Sequence, residues 1–184
     1  MVVDDAAKHH FARYIVVDGN RLTVSKFRAA GLTMDKIKAF YEHIAENTGK
    51  MNKAMTVTKV GEESGHTIYH TNAKTPFPMS NRSTVTCEYK IDHDGSFTYM
   101  QSSKGNEAHV TANAKTIGKN VLALSIINFA RYCPCEGGFD ITCVVSADPG
   151  GSIPDMIKNK QAARHAQAPC NLANFILTGA TPSD

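Results

Sequence analysis

Residues 148–178 restrict the fold more than any other part of the chain. Asp148-Pro149-Gly150-Gly151-Ser152-Ile153-Pro154 reads as a strand end, a sharp turn and a helix start. The glycine pair supplies the backbone freedom for the turn. Ser152 is placed to cap the helix with Asp155 answering it in a capping box, and Pro154 falls in the first turn, where a missing amide hydrogen costs nothing. Gly179 stops the pattern. The predicted helix spans roughly 27 residues, about 40 Å at 1.5 Å per residue. Pro169 should kink it near Ala166, because it removes one helical hydrogen bond. Its ends are bulky (Ile153, Met156 and Ile157; Leu172, Phe175, Ile176 and Leu177), but its middle is Ala162, Ala163, Ala166, Ala168, Cys170 and Ala173. A helix laid on a sheet through small residues either approaches the backbone closely or leaves a void beneath it, and a void invites a ligand.

A chain of 184 residues can bury a full core as one domain, residues 1–184. Apolar content is 42% and charged content 20%, and no apolar run reaches the roughly 18 residues that span a bilayer. The start, Met1-Val2-Val3-Asp4-Asp5, is acidic where a secretory leader would be basic, so a cytoplasmic address is expected. A formal charge of +3 with no dense basic run gives no footprint for nucleic acid. Five cysteines at irregular spacing indicate neither a disulfide framework nor a zinc site. His66 and His70 share strand parity without a third ligand, so solvent exposure rather than metal binding is expected for them.

Phe11–Val17 and Arg21–Arg28 form a predicted hairpin around Asp18-Gly19-Asn20. Thr33 then caps an amphipathic helix carrying Ile37, Phe40, Tyr41 and Ile44 and ending near Thr48-Gly49. Met55–Val60 and His66–Asn72, then Arg82–Ile91 and Ser96–Ser102, read as antiparallel pairs across short polar turns. Lys119–Tyr132 pairs with Phe139–Ala147. About eight strands and two helices without βαβ alternation make the class α+β with an antiparallel sheet. Ser103–Gly118 has no clear period and reads as a lid that Val110 and Ile117 would close, or as a solvated connection or a short helix.

Two stretches carry a family resemblance. Pro76-Phe77-Pro78-Met79-Ser80-Asn81-Arg82 is similar to the proline-containing approach to an Arg-Asp strand start in the START lipid-transfer domains. Thr142-Cys143-Val144-Val145-Ser146-Ala147-Asp148 through Pro154 resembles that family's strand, acidic residue, glycine and Ile/Leu-Pro approach to its last helix. The likeness covers Lys74 to Thr178, and the first seventy residues share only the order of elements. Three departures mark a divergent member: there is no tryptophan, Ser83 stands where Asp is usual, and Ala123 where an arginine is frequent.

The resemblance implies a helix-grip fold, a curled antiparallel sheet of about eight or nine strands wrapped round the long C-terminal helix. It also implies a tunnel for one lipid, phospholipid or sterol, and transfer between membranes by a monomer that touches the membrane surface transiently. No cofactor, metal or catalytic residue is implied. A small-molecule enzyme or receptor of the wider helix-grip superfamily is the alternative, and it would need a catalytic pair that the sequence does not place.

Glu88 resembles the position of a buried arginine in some sterol-binding members. It would be paired or protonated inside a tunnel, or else lie on the outer face beside Lys90, the side favoured by the apolar parity of Val85-Cys87-Tyr89. Tyr99, Gln101 and Asn128, the last in phase with Leu124 and Ile126, are candidate polar wall positions or satisfied core groups. Met156, Ala163, Cys170 and Phe175 would line the helix side, and Lys158, Lys160 and Arg164 would suit an anionic membrane surface or a solvated face.

Overall fold

The computed structural model describes residues 2–5, 9–17, 20–113 and 117–181. Ten strands form one curled, unclosed sheet: β1 (Val2–Asp5), β2 (His10–Val17), β3 (Asn20–Ala30), β4 (Met55–Glu63), β5 (His66–Ala73), β6 (Arg82–His93), β7 (Ser96–Ser102), β8 (Val121–Leu122), β9 (Leu124–Cys135) and β10 (Gly138–Asp148). Their order is β1-β2-β3-β10-β9-β7-β6-β5-β4, antiparallel throughout except for β8, which pairs parallel to the start of β6. The α+β class therefore stands. Sequence patterning missed β1 and ended the β9–β10 hairpin too early, since its strands run to Cys135 and from Gly138. The predicted Asp18-Gly19 turn lies outside the described residues.

Thr33 caps α1 (Met34–Glu42) through its hydroxyl, which accepts from the Lys36 amide. The helix buries Ile37, Phe40 and Tyr41 on one face, as the three-and-four spacing requires. It ends earlier than predicted. His43 breaks the regular dihedrals, and α2 (Ile44–Met51) follows, the joint held by the Asn47 amide donating to the Phe40 carbonyl.

The C-terminal segment is two helices, α4 (Asp155–Ala166) and α5 (Ala168–Thr178), instead of one kinked rod. It cannot begin at Ser152, because a residue before proline avoids helical dihedrals and Pro154 itself is extended, at φ −58° and ψ 142°. Pro154 is the N-cap and no side chain caps the helix; the Asp155 side chain, the other half of the predicted capping box, lies outside the described residues. Pro169 has no amide hydrogen to offer the His165 carbonyl, so the rod breaks at Gln167. The carbonyls at the break turn to the sheet instead: Ser25 Oγ donates to the His165 carbonyl at 3.2 Å and His10 Nε2 to that of Ala166 at 2.9 Å. Gly179 ends α5 in the left-handed conformation, at φ 72°.

These bonds dock α4 on β2 and β3, with Ala162 and Ala166 buried, while α5 reaches β3, β10 and α1. The main core lies between this helix layer and one face of the sheet, and gathers Ile37, Phe40, Tyr41, Tyr132, Ile141 and Phe175. A second cluster covers the opposite face. There α3 (Glu107–Ala112) brings Val110, and the following segment brings Ile117, against Ile68, Val85 and Cys87. The apolar members of the predicted lid thus close over the back of the sheet.

Candidate functional site

Cross-strand pairing sorts the inner face into rows. Phe97, Tyr132 and Ile141 form one, and each is at most 3% exposed. Tyr99, Ala130, Cys143 and Ser25 form the next, equally sealed. The third row is Glu88, Gln101, Asn128, Val145 and Thr23, and here the packing opens. Gln101 and Val145 are half-buried and Asn128 is exposed, although its strand has a neighbour on either side. An exposed side chain in the middle of an inner face means that the helices leave that part of the sheet uncovered.

The row runs from exposed Asn128 to Glu88, which is only 5% exposed. Two strand spacings, about 10 Å, separate them. Glu88 Oε2 lies 3.2 Å from Lys90 Nζ, while Oε1 is buried and has no hydrogen-bond partner among the described residues. The same holds for the hydroxyls of Tyr99 and of Thr86, which shares the face of Glu88 two residues along β6. Thr23 Oγ1, at the other end of the row, is buried and unpartnered as well. Buried polar atoms are normally partnered, so four on one inner face is unusual.

The tyrosine rings around them are fixed. Tyr99 stacks on Tyr41 at 4.2 Å, and the Tyr41 and Tyr132 hydroxyls are 3.0 Å apart. Burial raises all of these phenols above their ordinary range. For Tyr99, and for the less buried Tyr69, the Glu88 carboxylate is the next cause, since it opposes a second negative charge beside it. The phenols stay protonated and can both donate and accept.

Arg82 organises the far end of β6. Its buried guanidinium donates to the carbonyls of Ser80, Pro149 and Gly150, tying the loop before β6 to the turn before α4. Gly150 is obligatory there: its φ is +64°, and a Cβ would meet the Leu122 carbonyl oxygen at 2.1 Å. Ser83, fully buried, takes the place expected for an aspartate. Its Oγ sits 3.0 Å from His70 Nε2 and accepts from the Asn120 amide at 2.9 Å. His70 is therefore buried and bonded, contrary to the exposure expected from sequence, and its burial holds its pKa below the ordinary imidazole value.

No family model and no curated protein matches the sequence. Solved structures do match in shape. Human STARD10 superposes with a TM-score of 0.71 at 14% identity, over 96% of this chain and 71% of that one. Human StAR-related lipid transfer protein 5 gives 0.70 at 10% identity, over 97% and 86%. A STAR-related lipid transfer protein from Xanthomonas axonopodis gives 0.63 at 18% identity, over 90% and 91%. The fold is the START helix-grip fold.

Within that START fold the sequence-predicted site residues separate into groups. Glu88, Tyr99, Gln101 and Asn128 come together on the inner face. The outer-face alternative for Glu88 is overturned: β6 is covered on both sides, so the apolar set Val85 and Cys87 meets the α3 layer while Thr86 and Glu88 face inward. Leu124 and Ile126 lie beyond a bulge between Ser146 and Ala147 and do not continue the register of Asn128; Leu124 is 39% exposed and Ile126 half-buried. On the helices, Met156 and Ala163 are exposed and Cys170 is half-buried. Phe175 belongs to the packed core, edge-on to Phe40 at 5.9 Å. Sequence reasoning missed Thr86, Tyr69 and Tyr41. The polar alternation Thr84, Thr86, Glu88 was the available signal for Thr86, and it pointed outward only because a one-sided sheet was assumed.

Two cavities are present among the described residues, and neither is lined by Glu88, Gln101 or Asn128. One of about 450 Å³ opens near the β2–β3–β10 segment between Phe11, Lys26, Arg28, Cys133, Asp140 and Thr142. Another of about 150 Å³ lies beside Lys38, Tyr41, Lys90 and Asp92. Among the described residues no three His, Cys, Asp or Glu side chains gather as a metal site, and no helix is long and apolar enough to cross a membrane.

Proposed function

We propose that the chain binds one lipid over the inner face of its sheet and carries it between membranes. The observation that supports this most directly is the third row, in which Asn128 is exposed while Glu88 and Thr23 at its ends are buried. The fold shared with proteins named for lipid transfer supports the same reading. In it, Glu88, Tyr99, Gln101 and Asn128 meet the head of the ligand. Leu124, Ile126, Met156, Ala163 and Cys170 shield its chain, with Phe175 backing them. Each Å² of apolar ligand surface kept from water contributes about 25 cal/mol, so such a wall makes uptake from a bilayer close to neutral.

The protein acts as a carrier in this reading. Glu88 is engaged by Lys90, and the histidine contact at its position, from His66, reaches only its backbone carbonyl. Membrane contact is assigned to the Arg82 end. There Phe77, 97% exposed between two prolines, precedes Arg82, whose guanidinium holds the turn before α4, and α4 carries Met156, Lys158 and Lys160 in its first half and Arg164 in its last turn. Native mass spectrometry of the protein purified from its own cells tests the proposal: a co-purifying lipid in one-to-one ratio is expected. A protein that returns empty and extracts no lipid from vesicles would sink it.

A further inference from the structure

We infer that the cavity on the outer face of the sheet, along β2, β3, β10 and β9, is a separate binding site for a small organic anion with a flat apolar body. It lies apart from the proposed lipid row, because strand parity turns its side chains the other way. On the inner face β9 and β10 present Ala130, Tyr132, Ile141 and Cys143, so Arg131, Cys133, Asp140 and Thr142 between them face outward. The register sets Lys26 of β3 beside Thr142, Phe11 of β2 beside Lys26, and Arg28 beside Asp140. The cavity among these side chains holds about 450 Å³, with His9 at its β2 end, and falls within the roughly 300–1,000 Å³ of small-molecule sites.

Its donors are available and its one carboxylate is not. Asp140 accepts from Arg28 Nε at 2.8 Å and from Arg28 Nη2 at 3.1 Å, a bidentate pair that is neutral overall. The pair leaves Arg28 Nη1 uncommitted, and the Lys26 ammonium and Thr142 hydroxyl have no partner among the described residues. Two more cations border the opening: Arg13 stands 5.8 Å from the Phe11 ring centre, and exposed Arg131 flanks Thr142. The acids nearby are Asp4, opposite Phe11 on β1, and Glu136 in the turn after β9; both are exposed to water and neither lines the cavity. A metal ion or an amine would have to break the Arg28–Asp140 pair to reach a carboxylate. A carboxylate or phosphate instead takes hydrogen bonds from donors already in place. The half-buried Phe11 ring adds an apolar wall on which a flat body can stack. Small aromatic acids and nucleoside monophosphates share this chemistry.

The test titrates the isotope-labelled full chain with indole-3-acetate, adenosine monophosphate and their uncharged counterparts tryptophol and adenosine, following backbone amide shifts. At least one anion is expected to bind with a Kd of about 1 mM or tighter, and about tenfold or more tighter than its counterpart, the scale of one hydrogen bond to a charged group. The two arms distinguish carboxylate from phosphate. The shifts should centre on Phe11, Lys26 and Thr142 and leave Gln101 and Asn128 unmoved. Lys26→Met, a change at an exposed side chain that the fold tolerates, should weaken that anion about tenfold, and Thr142→Val severalfold. Lys53→Met, on an exposed connection elsewhere, should change nothing. The anion site is overturned if neither anion gives saturable shifts, if the uncharged counterparts bind as tightly, if the shifts centre on Gln101 and Asn128, or if Lys26→Met binds like wild type. Each of these outcomes leaves lipid uptake to be decided by its own measurement.

Discussion

Replacing Glu88 with leucine should stabilise the unliganded chain and at the same time weaken lipid uptake. The carboxylate is 5% exposed, with one oxygen on Lys90 and the other unpartnered among the described residues. Removing an unpartnered buried acceptor relieves about 1–3 kcal/mol. Losing the bridge costs about 0.2–1 kcal/mol, because the Lys90 side chain is 38% exposed and stays hydrated without its partner. Leucine is of similar size, so no large cavity or overpacking offsets the gain. The net is about 1–2 kcal/mol, or about 2–8 °C in melting temperature for a chain of this length. Thermal and urea unfolding of wild type and Glu88→Leu, run beside vesicle extraction, measure both halves. If the variant melts several degrees lower, the carboxylate is a support of the fold, and the argument that its free oxygen is kept for a ligand is wrong.

Arg82→Met leaves the carbonyls of Ser80, Pro149 and Gly150 without their shared donor, and should cost about 2–4 kcal/mol, seen as a fall of about 4–16 °C in melting temperature. Arg82→Lys should recover little of this, since an ammonium cannot span three separated carbonyls. Burial lowers the His165 pKa to about 4 from 6.5, so the folded state keeps the ring neutral while the unfolded chain takes up a proton. Stability is therefore complete above about pH 6.5 and falls between there and about pH 4, by at most about 3 kcal/mol because the ring is only part buried. His165→Gln should flatten that part of the urea-midpoint profile, and an unchanged slope would count against it. Phe77→Asp should leave the melting temperature within about 1 °C, as expected for an almost fully exposed side chain, yet slow lipid exchange between vesicles severalfold.

What could be read from the sequence was what local chemistry decides. The Thr33 cap, the α1 stripe of Ile37, Phe40 and Tyr41, the Gly179 stop and the antiparallel pairs from Met55 to Ser102 each follow from a few neighbouring residues, and each is present. The C-terminal helix was legible as an element but not as two. Pro169 signals a lost hydrogen bond, yet whether a helix kinks or breaks depends on who accepts the orphaned carbonyls. Those partners, His10 and Ser25, lie about 150 residues away in the chain and become visible only once β2 and β3 are in place.

The candidate site shows the same division more sharply. Parity along β6 separates Thr86 and Glu88 from Val85 and Cys87, and it separates them correctly. It cannot say which set faces the core, because that depends on whether another layer covers the back of the sheet. Here α3 and Ile117 supply that layer, so the apolar set is satisfied behind and the polar set is forced inward, at a cost in unpaired polar atoms that the fold alone does not recover. A sheet under selection for stability alone would place valine at 86 and 88, which are only 4% and 5% exposed. The polar choice persists beside the row that holds half-buried Gln101 and exposed Asn128. Burial next to an exposed position gives those atoms a use that neither full exposure nor a closed core would: in the proposed lipid-binding role they hold one polar group while the apolar body of the ligand covers the rest.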